Sequence, residues 1–183
     1  WFHCASVGEI LSILPLIRNY EKNKKIGQII ITSSTLSSSK VFNNFKFKKT
    51  IHQFYPIDHP LFVNNFLNHW KPSIAIFVES EIWPCMFKKI KDRGIPLILL
   101  NARLTKKTFN RWFFIKNFSK SIFKNIKIAY PQNNETINYL KKLELKKIKV
   151  IGNLKFSELK DLKKDIIKKN LIYKFKKKKI FIA

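Results

Sequence analysis

Seven short apolar runs, separated by amphipathic stretches, restrict what this chain can fold into more than any other feature. They fall at 1–5, 28–33, 51–55, 73–78, 95–101, 126–130 and 149–151, and are rich in Ile, Val and Phe. Runs this short and this evenly apolar suit strands buried on both faces, as in a parallel sheet. The stretches between them carry helical spacing. Ile10, Ile13, Leu14 and Ile17 follow Gly8-Glu9, and Leu61, Phe62, Phe66 and Trp70 recur less strictly. Trp83, Phe87 and Ile90 precede the stop signal Asp92-Arg93-Gly94-Ile95-Pro96. Asn133, Asn134 and Glu135 offer caps for a helix running to about Leu143. Strand–helix–strand alternation of this kind predicts the α/β class, with a doubly wound parallel sheet.

At 183 residues with 45% hydrophobic composition, the chain holds one full-sized domain with a real core. Both ends fall within apolar runs, Trp1-Phe2-His3-Cys4-Ala5 and Ile180-Phe181-Ile182-Ala183, as expected of a piece of a longer chain. We expect one domain over 1–156, a basic linking helix over 157–179 and the start of a second domain at 180–183. The linking stretch carries Lys160, Lys163, Lys164, Lys168 and Lys169 beside the apolar Ile166, Ile167, Leu171 and Ile172.

The formal net charge is +26, which has two readings. One is a basic surface that meets phosphates on nucleic acid or on an anionic membrane. The other is compositional drift, because only Arg18, Arg93, Arg103 and Arg111 among the 37 basic residues are arginines. Specific phosphate recognition favours the bidentate fork of Arg. Cys4 and Cys85 are too few for a disulfide framework, and we expect both to be buried free thiols. No run approaches the roughly 18 apolar residues that span a bilayer.

In an open α/β sheet the ligand site lies beyond the carboxyl ends of the strands. Ser6-Val7-Gly8-Glu9 follows the first run. Gly8 permits a tight turn or close ligand approach, and Glu9 reads either as a helix-start carboxylate favoured by the helix dipole or as a functional acid. Glu79-Ser80-Glu81-Ile82-Trp83-Pro84 follows the fourth run, and two carboxylates so placed are costly unless solvated or used. Thr32-Ser33-Ser34-Thr35 supplies hydroxyls that bind anions or cap a helix. Arg103, in Asn101-Ala102-Arg103-Leu104, is placed either to hold a phosphate or carboxylate or to form a surface ion pair. Together these acids, hydroxyls and the Arg suit transfer of a group onto a hydroxyl, with a carboxylate as general base. No His/Cys cluster has zinc spacing and no phosphate-cradling glycine loop is present. His3 reads as a structural residue within its strand, and His52, His59 and His69 carry no assigned role.

These motifs resemble the Kdo (3-deoxy-D-manno-octulosonic acid) transferase family. Ser6-Val7-Gly8-Glu9 looks like that family's Ser-Val-Gly-Glu, and Glu79-Ser80-Glu81-Ile82-Trp83-Pro84 like its Glu-Thr/Ser-Glu-Leu/Ile-Trp-Pro. Pro56-Ile57-Asp58 with Pro60, Asn101-Ala102-Arg103-Leu104, Gln132-Asn133 and Gly152-Asn153-Leu154-Lys155-Phe156 continue the series in order over about 2–157. The chain departs from the pattern at Leu36-Ser37-Ser38, Ile57 and Thr105. The resemblance implies a Rossmann-like, acceptor-binding N-terminal domain of a GT-B glycosyltransferase. It implies inverting transfer of Kdo from CMP-Kdo to a lipid A precursor in lipopolysaccharide biosynthesis, at the cytoplasmic face of the bacterial inner membrane. It assigns the general base to Glu9 and substrate binding to Ser6, Gly8, Glu79, Glu81 and Arg103. It implies no metal and no cofactor beyond the donor CMP-Kdo, which a second domain would bind, so this piece alone would be inactive.

Two other classes compete. A nucleic-acid module is suggested by the charge and by seventeen Phe, but most Phe fall at core-like positions and the charge is spread along the chain, so no specific nucleic acid is expected. Another GT-B glycosyltransferase with a different acceptor is the second, and a non-enzymatic scaffold the third. The stretch 108–124 holds Phe109, Trp112, Phe113, Phe114, Phe118 and Phe123 among Lys and Arg. It reads either as an anchor at an anionic membrane surface or as a core helix with snorkelling lysines.

Overall fold

The computed structural model describes residues 1–154, so the expected linking helix at 157–179 and the second-domain start at 180–183 lie outside the described residues. The strands are β1 (Phe2–His3), β2 (Ile29–Ser33), β3 (Thr50–Phe54), β4 (Ala75–Val78), β5 (Leu97–Ala102) and β6 (Ile128–Pro131). The helices are α1 (Val7–Lys22), α2 (Leu36–Asn43), α3 (Pro60–Trp70), α4 (Pro84–Asp92), α5 (Lys106–Phe114), α6 (Lys116–Phe123) and α7 (Asn134–Lys142). All strand pairs are parallel, in the order β3-β2-β1-β4-β5-β6. This is the doubly wound, Rossmann-like α/β sheet that the alternating pattern predicts.

Side-chain alternation along the strands splits the core into two layers. Phe2, Ile29, Ile31, Ile76, Val78 and Leu100 face one side, where Ile10, Ile13 and Ile17 of α1 and Phe42 of α2 cover them. Trp1, Ile30, Phe77, Leu97, Leu99 and Ala129 face the other, under Phe66 and Leu67 of α3, Phe87 and Ile90 of α4 and Phe123 of α6. Right-handed crossovers send the chain outward from β1 to β3 over one face, and outward the opposite way from β4 to β6 over the other. The order therefore reverses between β1 and β4, which are paired through Phe2–Ile76 and His3–Phe77.

Five helices begin on a cap that their own sequence supplies. Ser6, Thr35, His59, Thr105 and Asn133 each accept an N–H of the first turn of α1, α2, α3, α5 and α7. Thus the hydroxyl-rich Thr32-Ser33-Ser34-Thr35 ends in a helix cap. The seventh apolar run does not form a strand. Only Ile148 bridges to Ala129, whose N–H and carbonyl pair with Lys147 and Lys149. The next donor on that edge would be Pro131, which has no N–H, so the ladder stops. Val150 and Ile151 are accordingly exposed.

The aromatic stretch at 108–124 divides at Ile115 into α5 and α6. Phe109, Ile122 and Phe123 are buried, while Phe113, Phe114, Ile115 and Phe118 are exposed, Phe114 at 91%. The stretch is thus part core and part exposed surface. Among the described residues no helix is long and apolar enough to cross a membrane. Cys4 is buried as expected, but Cys85 is only half-buried, on the first turn of α4.

Candidate active site

The crevice in a sheet of this order opens where the strand order reverses, beyond the carboxyl ends of β1 and β4. Glu9, Glu79 and Glu81 meet there. Glu9 lies in the first turn of the helix that follows β1 and is buried to 8% exposure. Ser6 caps that helix, and the two residues grip each other. The Glu9 N–H donates to Ser6 Oγ at 3.3 Å, and the Ser6 hydroxyl donates to Glu9 Oε1 at 3.0 Å. The Ala5 N–H donates to Glu9 Oε2 at 2.9 Å. This is a reciprocal Ser-x-x-Glu cap, with the carboxylate reaching back to satisfy a donor ahead of the helix.

The cap does not leave Glu9 an ordinary carboxylate. Burial pushes its pKa up from 4.5 to about 7, against the opposing pull of the Ala5 and Ser6 hydrogen bonds, with the charges of Glu81 and Glu79 adding to the rise. A buried carboxylate poised near neutrality is suited to accept a proton at working pH. The same three carboxylates act on Cys4, the residue after β1, whose thiol is raised well above its usual range chiefly by its own burial. Glu9, Glu79 and Glu81 are thus one electrostatic cluster.

The β4–α4 loop is built differently. Glu79 takes the left-handed conformation at φ 58°, a costly choice for a residue with a Cβ. Its N–H donates to the Leu100 carbonyl at 2.9 Å, which ties the loop to β5. Ser80 donates its hydroxyl to the Arg103 carbonyl. Glu81 Oε2 lies 3.3 Å from His3 Nε2 and accepts the Trp83 indole N–H at 2.9 Å. Trp83, which precedes α4, makes no side-chain cap. Asp58 supplies it instead, accepting the N–H groups of Cys85 and Met86 at 3.0 and 2.8 Å.

Asn101, at the end of β5, also takes the left-handed conformation, at φ 51°, and is fully buried. Its Oδ1 accepts the Leu154 N–H at 3.2 Å, while Asn153 donates to the Gln132 side chain at 3.0 Å. Two of the sequence motifs therefore clamp the 152–154 segment to the ends of β5 and β6.

Of the residues singled out from sequence, Ser6, Glu9, Glu79 and Glu81 come together. Gly8 does not sit in a turn. It lies within α1, exposed, and an added Cβ would meet no heavy atom within 4 Å. Its place leaves open ground beside Glu9, which fits close approach rather than turning. Arg103 stands one strand further along the same edge, exposed, with no described residue paired to its guanidinium. His3, read from sequence as a structural residue, is fully buried and touches Glu81. Its place at the last position of β1, on the same face as Trp1, was the available signal. No group of His, Cys, Asp and Glu among the described residues is arranged to hold a metal.

A cavity of about 340 Å³ adjoins Trp83, lined by Ser33, Ser34, Tyr55, Ile57 and Asp58. It extends the crevice toward β2 and β3. The larger cavity, about 550 Å³, lies at the opposite, amino-terminal edge of the sheet around Trp1, Lys25 and Trp70, away from the acids.

The family whose sequence signature matches residues 1–158 is described as 3-deoxy-D-manno-octulosonic-acid transferase (kdotransferase). The chain belongs to the Kdo transferase family. A 3-deoxy-D-manno-octulosonic acid transferase of Rickettsia felis is 37% identical over 157 residues, covering 86% of this chain and 34% of that protein. Its counterpart in Haemophilus influenzae is 28% identical over 162 residues, covering 85% and 37%. The chain thus spans about a third of the length of the curated Kdo transferases it matches. A UDP-N-acetylglucosamine 2-epimerase from Rickettsia bellii superposes with a TM-score of 0.61 at 14% identity, over 96% of this chain and 50% of that one. At that identity the likeness concerns the fold alone, a GT-B-like Rossmann domain. Within the Kdo transferase family frame, the matched region ends at residue 158, close to the clamp at Asn153 and Leu154.

Proposed function

We propose that this chain is the acceptor-binding half of an inverting Kdo transferase, moving Kdo from CMP-Kdo to a lipid A precursor in lipopolysaccharide biosynthesis. The observation that carries this reading is Glu9, buried at the point of strand-order reversal, gripped on both oxygens and raised to about 7. A sugar hydroxyl of the acceptor attacks the anomeric carbon of Kdo. As the new C–O bond forms, the bond to the CMP phosphate oxygen breaks, and CMP leaves with that electron pair. The hydroxyl proton passes to Glu9. Inversion needs a single displacement, hence one base and no covalent enzyme intermediate. The reading calls for no cofactor and no metal. Gly8 leaves room for the acceptor beside Glu9, and Arg103 is free to hold an acceptor phosphate through its guanidinium fork. Ser6 holds the base, and Glu79 and Glu81 line the acceptor side. CMP-Kdo would bind to a second domain, so the described domain alone would not turn over.

The acceptor is a lipid, and the exposed aromatic corner of α5 and α6 offers it a surface. Phe113, Phe114, Ile115 and Phe118 project among Lys106, Lys107, Arg111 and Lys116. Aromatic and aliphatic side chains ringed by cations suit the interface of an anionic membrane, here the cytoplasmic face of the inner membrane.

The deciding experiment uses the full-length enzyme with CMP-Kdo and a lipid A precursor. Glu9→Gln keeps size and hydrogen bonding but removes the base. It should cut turnover strongly while acceptor binding persists. Near-normal turnover would move the base to Glu79 or Glu81. For the membrane surface, Phe114→Ser with Phe118→Ser should weaken binding to anionic vesicles, and unchanged binding would reject this corner as the anchor. Trp112 is unsuited to that test, because it packs edge-on against the buried Phe123.

A further inference from the structure

His3 lies outside the mechanism just described, yet it is built into the acid cluster. Its ring is fully buried at the end of β1, 4.0 Å from the Tyr55 ring and 5.2 Å from the Phe77 ring. Nδ1 lies 2.9 Å from Thr32 Oγ1, and Nε2 lies 3.3 Å from Glu81 Oε2. Glu81 decides where the ring proton sits: a carboxylate oxygen only accepts, so Nε2 carries the proton and donates. In the neutral ring Nδ1 is then an acceptor, and the Thr32 hydroxyl donates to it at 2.9 Å. The Thr32 oxygen in turn accepts the Trp1 indole N–H at 2.9 Å, a bond in which only indole can donate.

Glu81 Oε2 therefore takes two N–H donors, from His3 and from Trp83. Its Oε1 has no hydrogen-bond partner among the described residues, and the side chain is 21% exposed. A carboxylate pinned by one oxygen, with the other at the crevice, has one defined direction in which to accept a hydrogen bond.

We propose that His3 is a positioning residue: held at Nδ1 by Thr32 and donating from Nε2, it fixes the Glu81 carboxylate beside Glu9 and leaves Oε1 to accept a hydroxyl of the incoming sugar acceptor. The proposal rests on the reading of this crevice as the acceptor site, with Glu9 as its base. The chain of contacts runs Trp1–Thr32–His3–Glu81, from β2 through β1 to the β4–α4 loop, across the point where the strand order reverses. The ionisable groups acting on Glu9 are Glu79 and Glu81 of that loop. Those near Glu81 are His3 and Cys4 at the end of β1, Tyr55 after β3, and Glu9 itself.

The test compares His3→Phe and His3→Gln in the full-length enzyme, with Glu9→Gln alongside. Gln presents an amide N–H near the place of Nε2, whereas Phe fills the site without a donor. His3→Phe should lower kcat by about 10–100-fold, the cost of a displaced active-site group. It should raise the acceptor KM and leave the donor KM unchanged. The acidic limb of its pH–rate profile should move down, because the Glu81 charge no longer stands fixed beside Glu9. His3→Gln should recover kcat to within a few-fold and return the limb to its place. If His3→Phe does not fold, Thr32→Val removes the hydroxyl that fixes the ring and should reproduce the same pattern in weaker form. Equal losses in the Gln and Phe variants overturn the proposal. So does a loss of turnover in His3→Phe with acceptor KM and pH limb unmoved, which marks a structural role. Near-normal turnover in Glu9→Gln rejects Glu9 as the base but leaves the acceptor KM of His3→Phe as the reading of Glu81, since that contact does not need Glu9 to take the proton.

Discussion

Two acidic loops meet at the same edge of the sheet and hold their carboxylates by opposite means. Glu9 is gripped within its own turn, by Ala5 and Ser6, and its position is settled as soon as α1 forms. Glu81 is held by His3, 78 residues away, and by Trp83, on a loop whose helix is capped by Asp58, 27 residues before Cys85. The loop itself turns through a strained Glu79 and is tied to β5 through Leu100 and Arg103. The local grip permits deep burial, because both oxygens of Glu9 are satisfied whatever the rest of the site does. The distant grip makes Glu81 a report on the packing of β1, β2 and the β3–α3 loop. Chemistry that needs one fixed, proton-accepting carboxylate is better served by the first arrangement. Recognition of a substrate is served by the second.

The comparison breaks first at turnover. In the full-length enzyme Glu9→Gln should cost about 10²–10⁴-fold in kcat, the usual worth of a placed base. Glu81→Gln should act mainly on the acceptor KM. If the two variants exchange these signatures, the division of labour between the loops is reversed. Steady-state kinetics with both substrates varied separates the outcomes.

Protonation sharpens the same contrast. The folded state raises Glu9 from 4.5 to about 7, so between those values it binds a proton that the unfolded chain releases. Stability conferred this way falls as pH rises through the window of about 4.5 to 7, and the full cost of a buried charge stands above it. Glu9→Gln removes that cost. Its thermal midpoint relative to wild type should therefore be higher at pH 8 than at pH 5. A gap independent of pH would show that Glu9 ionises as an ordinary exposed carboxylate. The acidic limb of the wild-type rate profile should likewise fall near pH 7, where Glu9 begins to ionise.

The distant grip should show in stability. Asp58→Ala leaves the N–H groups of Cys85 and Met86 without their acceptor and should cost about 1–2 kcal/mol, as losing a helix cap does. Asp58→Asn, with one acceptor oxygen, should recover part of it. Because α4 has no other side-chain cap, Asp58→Ala should also loosen the β4–α4 loop and raise the acceptor KM. Thermal unfolding and kinetics on the same samples check both parts.

What was legible in the sequence follows the same divide. Ser6 and Glu9 stand three apart, so position and neighbours alone marked a helix start, and the first six apolar runs became strands because burial on both faces leaves few other uses for Ile, Val and Phe. Asn133 announced α7 for the same local reason. The link from His3 to the acids was not legible, because its partners, Thr32 and Glu81, lie 29 and 78 residues away. Pro56-Ile57-Asp58 was visible as a motif, but nothing near it in sequence tells that Asp58 caps α4. The seventh run failed as a strand through a residue of its neighbour, Pro131, rather than through its own composition. The break between α5 and α6 at Ile115 has no Pro or Gly to signal it, and it is this break that leaves Phe114 outside while Trp112 turns in against Phe123.

The smallest expected effect lies within the local grip and tests whether it tunes Glu9 or only holds it. The Ser6 hydroxyl does two things: it accepts the Glu9 N–H and donates to Glu9 Oε1. Ser6→Ala removes both. Loss of the cap should lower stability by about 1 kcal/mol. Loss of the bond to Oε1 removes an interaction that favours the charged carboxylate, so the Glu9 pKa should rise further above 7. The acidic limb of the rate profile should then move to higher pH by a fraction of a unit, opposite in sign to the shift expected when His3 no longer holds Glu81. Well above that limb, where Glu9 is ionised in either protein, kcat should approach the wild-type value. Ser6→Thr keeps the hydroxyl and should restore both the stability and the limb. A Ser6→Ala enzyme with lower stability but an unmoved limb would mean that Ser6 serves α1 alone, and that the proton affinity of Glu9 is set by burial and by the charges on the β4–α4 loop.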